Sequence, residues 1–126
     1  MEEFYIDVKL NQGMVRLQVD EIPPEQWDLP FVPQFIVEYH NGHEFVTLTL
    51  RLEQGKWFDN NVSSEDDAYY MRYFDGRPDS WDPHYQSPLE QEEINNVGGA
   101  IARHMIVHLQ AYMALFVPVF PCPEVN

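Results

Sequence analysis

The stretch "FIVEYHNGHEFVTLTLRL", Phe35 to Leu52, decides the fold. It holds two alternating runs around Asn41-Gly42. Asn-Gly is the strongest two-residue hairpin signal, because both turn positions need positive φ and these residues tolerate it. Pairing outward from the turn sets His40 opposite His43, Tyr39 opposite Glu44 and Val37 opposite Val46. One face then collects Phe35, Val37, Tyr39, Val46, Leu48, Leu50 and Leu52, the expected core face. The other collects Ile36, Glu38, His40, His43, Phe45, Thr47, Thr49 and Arg51.

The same alternation appears earlier. Phe4, Ile6, Val8 and Leu10 share a face, as do Val15, Leu17 and Val19, with "NQGM" between the runs. This reads as a first hairpin pairing Leu10 with Val15 and Val8 with Leu17. "IPPEQWDLPFVP" follows with four prolines. Proline has no N–H to give a central strand, so this is a connection, pinned by Trp27. "EQGKW" turns the chain once more and sets Trp57 against Leu52.

Residues 59–87 have no long period. "SSEDDAYYMRYF" fits a short helix capped by Ser64, with acids at 65–67 near its positive end. "SPLE" then opens the main helix, with Ser87 as cap, Pro88 in the first turn and Glu90 reaching back in a capping box. The apolar pattern runs to about Val117, where Pro118 stops it. Projected at about 100° per residue, Ile94, Val97, Gly98, Ile101, Met105, Leu109, Tyr112 and Phe116 form one face. Gly98 lies inside that face, where a missing side chain lets the backbone sit close to the sheet. The tail "VPVFPCPEVN" alternates proline and reads as extended.

The expected architecture is one α+β domain. An antiparallel sheet of four to five strands (1–58) packs on one long C-terminal helix (88–117). An aromatic-rich insert of loop and short helix (59–87) lies between them, and a proline-rich extended tail (118–126) follows. "FIVEYHNG", "LTLRLEQGKW" and "INNVGGAIARH" together resemble a family of small uncharacterised Bacteroidota proteins, built as hairpin, NG hairpin, Trp and a helix with an "IG.AI" motif. "VGGAI" departs from that motif by an extra glycine at 99. The family has no settled activity, so the resemblance implies a small α+β fold and carries over no catalytic residue.

With 126 residues the chain is long enough for one domain with a real core. Its net charge is −14, from 21 acidic and 7 basic residues. Such a surface repels nucleic-acid phosphates and anionic membranes, so direct nucleic-acid binding and membrane association are not expected. It favours basic partners. No apolar run is long enough for a membrane span. The start lacks the pattern of a signal peptide, and Cys122 is the single cysteine, so no internal disulfide forms; a cytoplasmic setting is expected.

Two histidine pairs raise metal chemistry. His104 and His108 stand four apart on the helix, but Met105 occupies the position of the glutamate base in HExxH. His40 and His43, with Glu38 beside them, offer an alternative zinc or nickel site at the hairpin tip. Polar residues also simply belong at an exposed tip, and the expectation is no metal and no cofactor. No P-loop, dinucleotide glycine run or calcium-loop spacing is present.

Residues 59–93 hold ten acids, two arginines and six aromatics. Asp66, Asp67, Tyr69, Tyr70, Tyr73, Asp79, Trp81, Asp82 and Tyr85 are therefore candidates for binding a basic protein surface, with rings supplying rigid contact and acids steering. The competing reading folds half of those rings onto the protein's own core. The expected function is a non-enzymatic protein–protein interaction module. The alternatives are a mobile-element or phage-type inhibitor that mimics nucleic acid, and a small metal-dependent enzyme using the histidine pairs. Ile106, Val107 and Met113 on the far side of the helix point to a homodimer interface. The outward-facing Ile36 and Phe45 add further contact surface.

Overall fold

The computed structural model describes residues 3–28, 32–62 and 81–106. Strands β1 (Glu3–Leu10), β2 (Gly13–Glu21), β3 (Gln34–His40), β4 (Phe45–Glu53) and β5 (Lys56–Asp59) form one antiparallel sheet in the order β1-β2-β3-β4-β5. One 3-10 turn, Pro24–Gln26, interrupts the proline-rich connection, where Trp27 Nε1 donates to the Ile22 carbonyl at 2.9 Å. The helix α1 spans Gln91–His104. The fold is α+β, as the periodicities require.

Both hairpins pair two residues away from the expected register. In the first, the chain reverses at Asn11 and Gln12, and Gly13 already pairs with Leu10. Val8 therefore faces Val15 and Ile6 faces Leu17. Gly13 has φ +120°, which L side chains rarely adopt. In the second, His40 faces Phe45, Tyr39 faces Val46 and Val37 faces Leu48. His43 and Glu44 are turn residues, not strand partners. The cause is Asn41: its Oδ1 accepts the N–H groups of His43 at 2.8 Å and Glu44 at 3.0 Å. Its own N–H donates to the Glu44 carbonyl at 3.0 Å. Asn41 thus organises a longer turn, in which Gly42 at φ +100° has positive φ and Asn41 does not. The tight turn with two positive φ angles lies elsewhere, at Gln54 (φ 51°) and Gly55 (φ 81°), near type I′ values. There Leu52 faces Trp57, as the sequence indicates.

A slip of two leaves every side chain on its own face. Phe35, Val37, Tyr39, Val46, Leu48, Leu50 and Leu52 are all buried, with Phe4, Val8, Leu10, Leu17 and Val19 beside them. Helix α1 contributes Ile94, Val97, Ala100 and Ile101, and Met105 follows. Its opposite side, with Glu92, Asn96 and Arg103, is exposed. Gly98 is the close-approach point. A Cβ built there would fall inside the van der Waals envelope of Trp57 Cγ, Cδ1 and Cδ2.

The helix begins three residues later than the sequence pattern indicates. The Ser87 hydroxyl donates to Asp59 Oδ2 at 2.7 Å and accepts the Leu89 N–H at 3.2 Å, which holds it outside the helix. Glu90 is the cap, and its N–H donates to Glu93 Oε1 at 2.9 Å in a capping box. Glu93 Oε2 also accepts the Asn11 N–H at 2.8 Å, tying the helix start to the first turn.

Helix α1 touches β1 and β5, the two edges of the sheet, so the sheet curls around it. Asn96 Nδ2 donates to the Lys9 carbonyl at 3.3 Å and Gln91 Nε2 to the Trp57 carbonyl at 2.8 Å. Each edge strand so gives a backbone acceptor to the helix, where it no longer invites a foreign strand. The described helix stops at His104, with Met105 at its C-cap. The expected extension to Val117, the short helix after Ser64 and the tail 118–126 lie outside the described residues.

Candidate functional site: the outer face of the sheet

The face turned away from α1 is built in cross-strand rows. Glu3–Asp20–Ile36–Thr49 forms one row, and Tyr5–Gln18–Glu38–Thr47 the next. Beyond them lie the pairs Asp7–Arg16 and His40–Phe45. At the β4–β5 end stand Arg51 and Phe58, paired across the strands.

The β4–β5 end is closed. Arg51 is fully buried. Its guanidinium lies 5.0 Å from the Phe58 ring centre and 4.9 Å from that of Trp81. Nε donates to Glu53 Oε1 at 2.7 Å, and Nη1 to the Asp59 carbonyl at 3.1 Å. Taking both charges out of water costs several kcal/mol per ion, roughly, so the short pair and the two rings are what make the burial tolerable. Asp59 is buried as well. Its Oδ2 accepts the hydroxyls of Tyr85 at 2.6 Å and Ser87 at 2.7 Å, and its Oδ1 the Asn61 N–H at 3.1 Å. Burial, and then the bond to the Asp59 carboxylate, hold the Tyr85 phenol far above its ordinary range. Two of the aromatic partner candidates, Trp81 and Tyr85, are thus engaged in the protein's own packing. Asp82 is exposed, its Oδ1 accepting the His84 N–H at 2.9 Å. Asp66, Asp67, Tyr69, Tyr70, Tyr73 and Asp79 lie outside the described residues.

The other end is open. Tyr5, Arg16, Gln18, Glu38, Tyr39, His40 and Phe45 line a groove of about 550 Å³. On the β1 side Arg16 lies 5.5 Å from the centre of the Tyr5 ring, with Nη1 3.8 Å from Asp7. The Tyr5 hydroxyl donates to Glu3 Oε2 at 3.0 Å, which raises that phenol. On the β4 side His40 meets Phe45 edge to face at 5.5 Å. Between them Glu38 accepts the Thr47 hydroxyl at 3.4 Å. Phe45 is 78% exposed, the most exposed large apolar side chain described. The outward position of Phe45 was legible in the sequence. Tyr5, Arg16 and Gln18 lie on the outward face of the first hairpin by alternation, but they join Glu38 only once β2 is paired with β3.

His40 Nδ1 accepts the Gly42 N–H at 3.0 Å, a role that leaves this nitrogen no lone pair for a metal. Among the described residues no group of three or more His, Cys, Asp or Glu is arranged to hold a metal ion, the trio His40, His43 and Glu38 included. His104 stacks on Phe4 with ring centres 4.0 Å apart and planes at 8°; His108 is not among the described residues. Ile106 is exposed, whereas Val107 and Met113 lie outside those residues. Among the described residues no helix is long and apolar enough to cross a membrane.

The fold and this face define a small α+β protein: a curled five-stranded antiparallel sheet closed by one helix, with half of its outer surface open. No family model, curated protein or solved structure matches the chain.

Proposed function

We propose that this protein is a small acidic, non-enzymatic protein–protein interaction module that engages a basic protein surface in the cytoplasm. The observation that carries the reading is the open half of the outer sheet face, where exposed Tyr5 and Phe45 flank Glu38 on a chain of net charge −14. Exposed rings supply contact area at low conformational cost, and the surplus of acids steers basic partners and rejects acidic ones. The acids of residues 59–93 contribute to the chain's net charge, and exposed Ile106 offers an apolar contact for a second copy of the chain.

The test is capture from the source cell lysate, followed by titration of each captured protein at increasing salt. The reading expects basic partners whose affinity falls with salt. Replacing Asp66, Asp67, Asp79 and Asp82 with asparagine should weaken binding and flatten the salt dependence. A partner bound equally well by that variant, with no salt dependence, contradicts it.

A further inference from the structure

We propose that the groove between Tyr5 and Phe45 is a receptor for an arginine side chain presented by a basic partner; this rests on the interaction-module reading and gives it a site. The protein shows what an arginine needs on this sheet. Arg51 takes a ring, Phe58, and a carboxylate, Glu53. Arg16 takes a ring, Tyr5, and a carboxylate, Asp7. On its β3–β4 side the groove offers the same two components without an arginine between them, since Arg16 on the β2 side pairs with Asp7. Phe45 is the ring and Glu38 the carboxylate, and no cation among the described residues lies within ion-pair distance of Glu38.

Their spacing suits the ligand. Glu38 pairs with Thr47 and His40 with Phe45, so Glu38 and Phe45 are diagonal neighbours on one face. Diagonal neighbours lie roughly 7–8 Å apart, with their Cβ atoms somewhat closer, so one long side chain can reach both. A guanidinium is planar, so it stacks on a ring while two of its N–H groups meet a carboxylate. A lysine ammonium makes only the point-charge contact. Arg16, the cation on the β2 side of the groove, is turned to Tyr5 and Asp7, and the Asp7 carboxylate offsets part of its charge toward a second guanidinium.

The experiment is calorimetric titration of the full chain with a nonapeptide of alternating arginine and glycine. Parallel titrations use the same peptide with lysine, and with citrulline, which keeps the shape of arginine without its charge. Wild type should bind the arginine peptide best, the lysine peptide several-fold more weakly and the citrulline peptide at least tenfold more weakly. Glu38→Gln and Phe45→Ala lie on the exposed face, and circular dichroism should show them folded. Glu38→Gln should weaken arginine binding about tenfold, and Phe45→Ala about fivefold. Arginine binding that both variants leave intact overturns the groove while sparing the interaction-module reading. No binding of either cationic peptide overturns the groove, and the interaction-module reading is then decided by the capture experiment alone. Equal affinity for citrulline removes charge recognition and with it the proposal. A wild-type dimer that Phe45→Glu turns into a monomer assigns the groove to a second copy and likewise overturns it.

Discussion

Arg16 and Arg51 stand on the same face of the same sheet, each over an aromatic ring with a carboxylate at hand, in opposite surroundings. Arg51 lies between Phe58 and Trp81 with no exposure, and its partner Glu53 is equally enclosed. The Arg16 side chain is 69% exposed and that of its partner Asp7 60%, at 3.8 Å. The difference comes from what crosses the sheet. At β4–β5 the segment returning from the insert is anchored to Asp59 through Tyr85 and Ser87, and it lays Trp81 over Arg51. At β1–β2 no described segment lies over the strands. Where a cover exists, charge becomes structure. Where none does, charge and ring remain exposed.

Substitutions at the covered end should have the largest effect. Arg51→Ala removes the buried guanidinium bonded to Glu53 and to the Asp59 carbonyl and opens space between two rings, so it should cost about 3–5 kcal/mol in chemical denaturation. The double variant Arg51→Met with Glu53→Leu should recover most of that, since an apolar pair of similar volume often replaces a buried ion pair without loss. If Arg51→Ala costs under about 1 kcal/mol, on the scale of a surface pair, the closed end is not closed.

Gly98→Ala comes next. The new methyl group meets Cγ and both Cδ atoms of the Trp57 ring, so either the indole must leave its rotamer against the helix or α1 must shift from β5. A cost of about 1–3 kcal/mol is expected for such overpacking, read as a lower thermal midpoint. Gly99→Ala, with only Arg103 Nη1 near its added Cβ at 3.5 Å, serves as the comparison and should be close to neutral.

Alkaline pH separates the ends in another way. The Tyr85 phenol is raised in the folded protein above its ordinary 10.0. Its contribution is therefore complete below about pH 10 and is lost as pH climbs toward the folded value, because the unfolded chain releases that proton first. Tyr39, raised chiefly by burial, acts in the same direction. Stability measured from pH 9 to 11 should fall, and Tyr85→Phe should make the fall shallower. An unchanged slope would show that the bond to Asp59 is not held in solution.

The smallest effect belongs to Arg16→Ala, which should change stability by less than about 1 kcal/mol.

The sequence displays the two faces of the sheet more clearly than its registers, for a physical reason. Core-facing Val37, Val46 and Leu48 remain on the core face under any slip of two, so hydrophobic alternation cannot choose between Val37 facing Val46 and Val37 facing Leu48. Only the turn chooses, and the Asn41 side chain stabilised a longer turn than Asn-Gly usually makes. At Gln54-Gly55, where the turn is tight, Leu52 facing Trp57 was legible directly. The close approach at Gly98 was legible because a glycine on an apolar helix face has few other uses. The burial of Arg51 had no local signal. Its cover, Trp81, lies thirty positions away along the chain, across a segment without periodicity. The groove was hidden similarly, since its walls come from strands joined only by the β2–β3 pairing.

One outer face is divided into a closed structural end and an open end, and the open end is the proposed binding site. Amide chemical-shift mapping during titration with the arginine–glycine peptide tests it most directly. Resonances of Tyr5, Arg16, Gln18, Glu38, His40 and Phe45 should move together, while those of Arg51, Phe58 and Ile94 stay still. Shifts centred on Arg51 and Phe58, or on helix α1, with the Tyr5–Glu38–Phe45 region unmoved, would contradict the division.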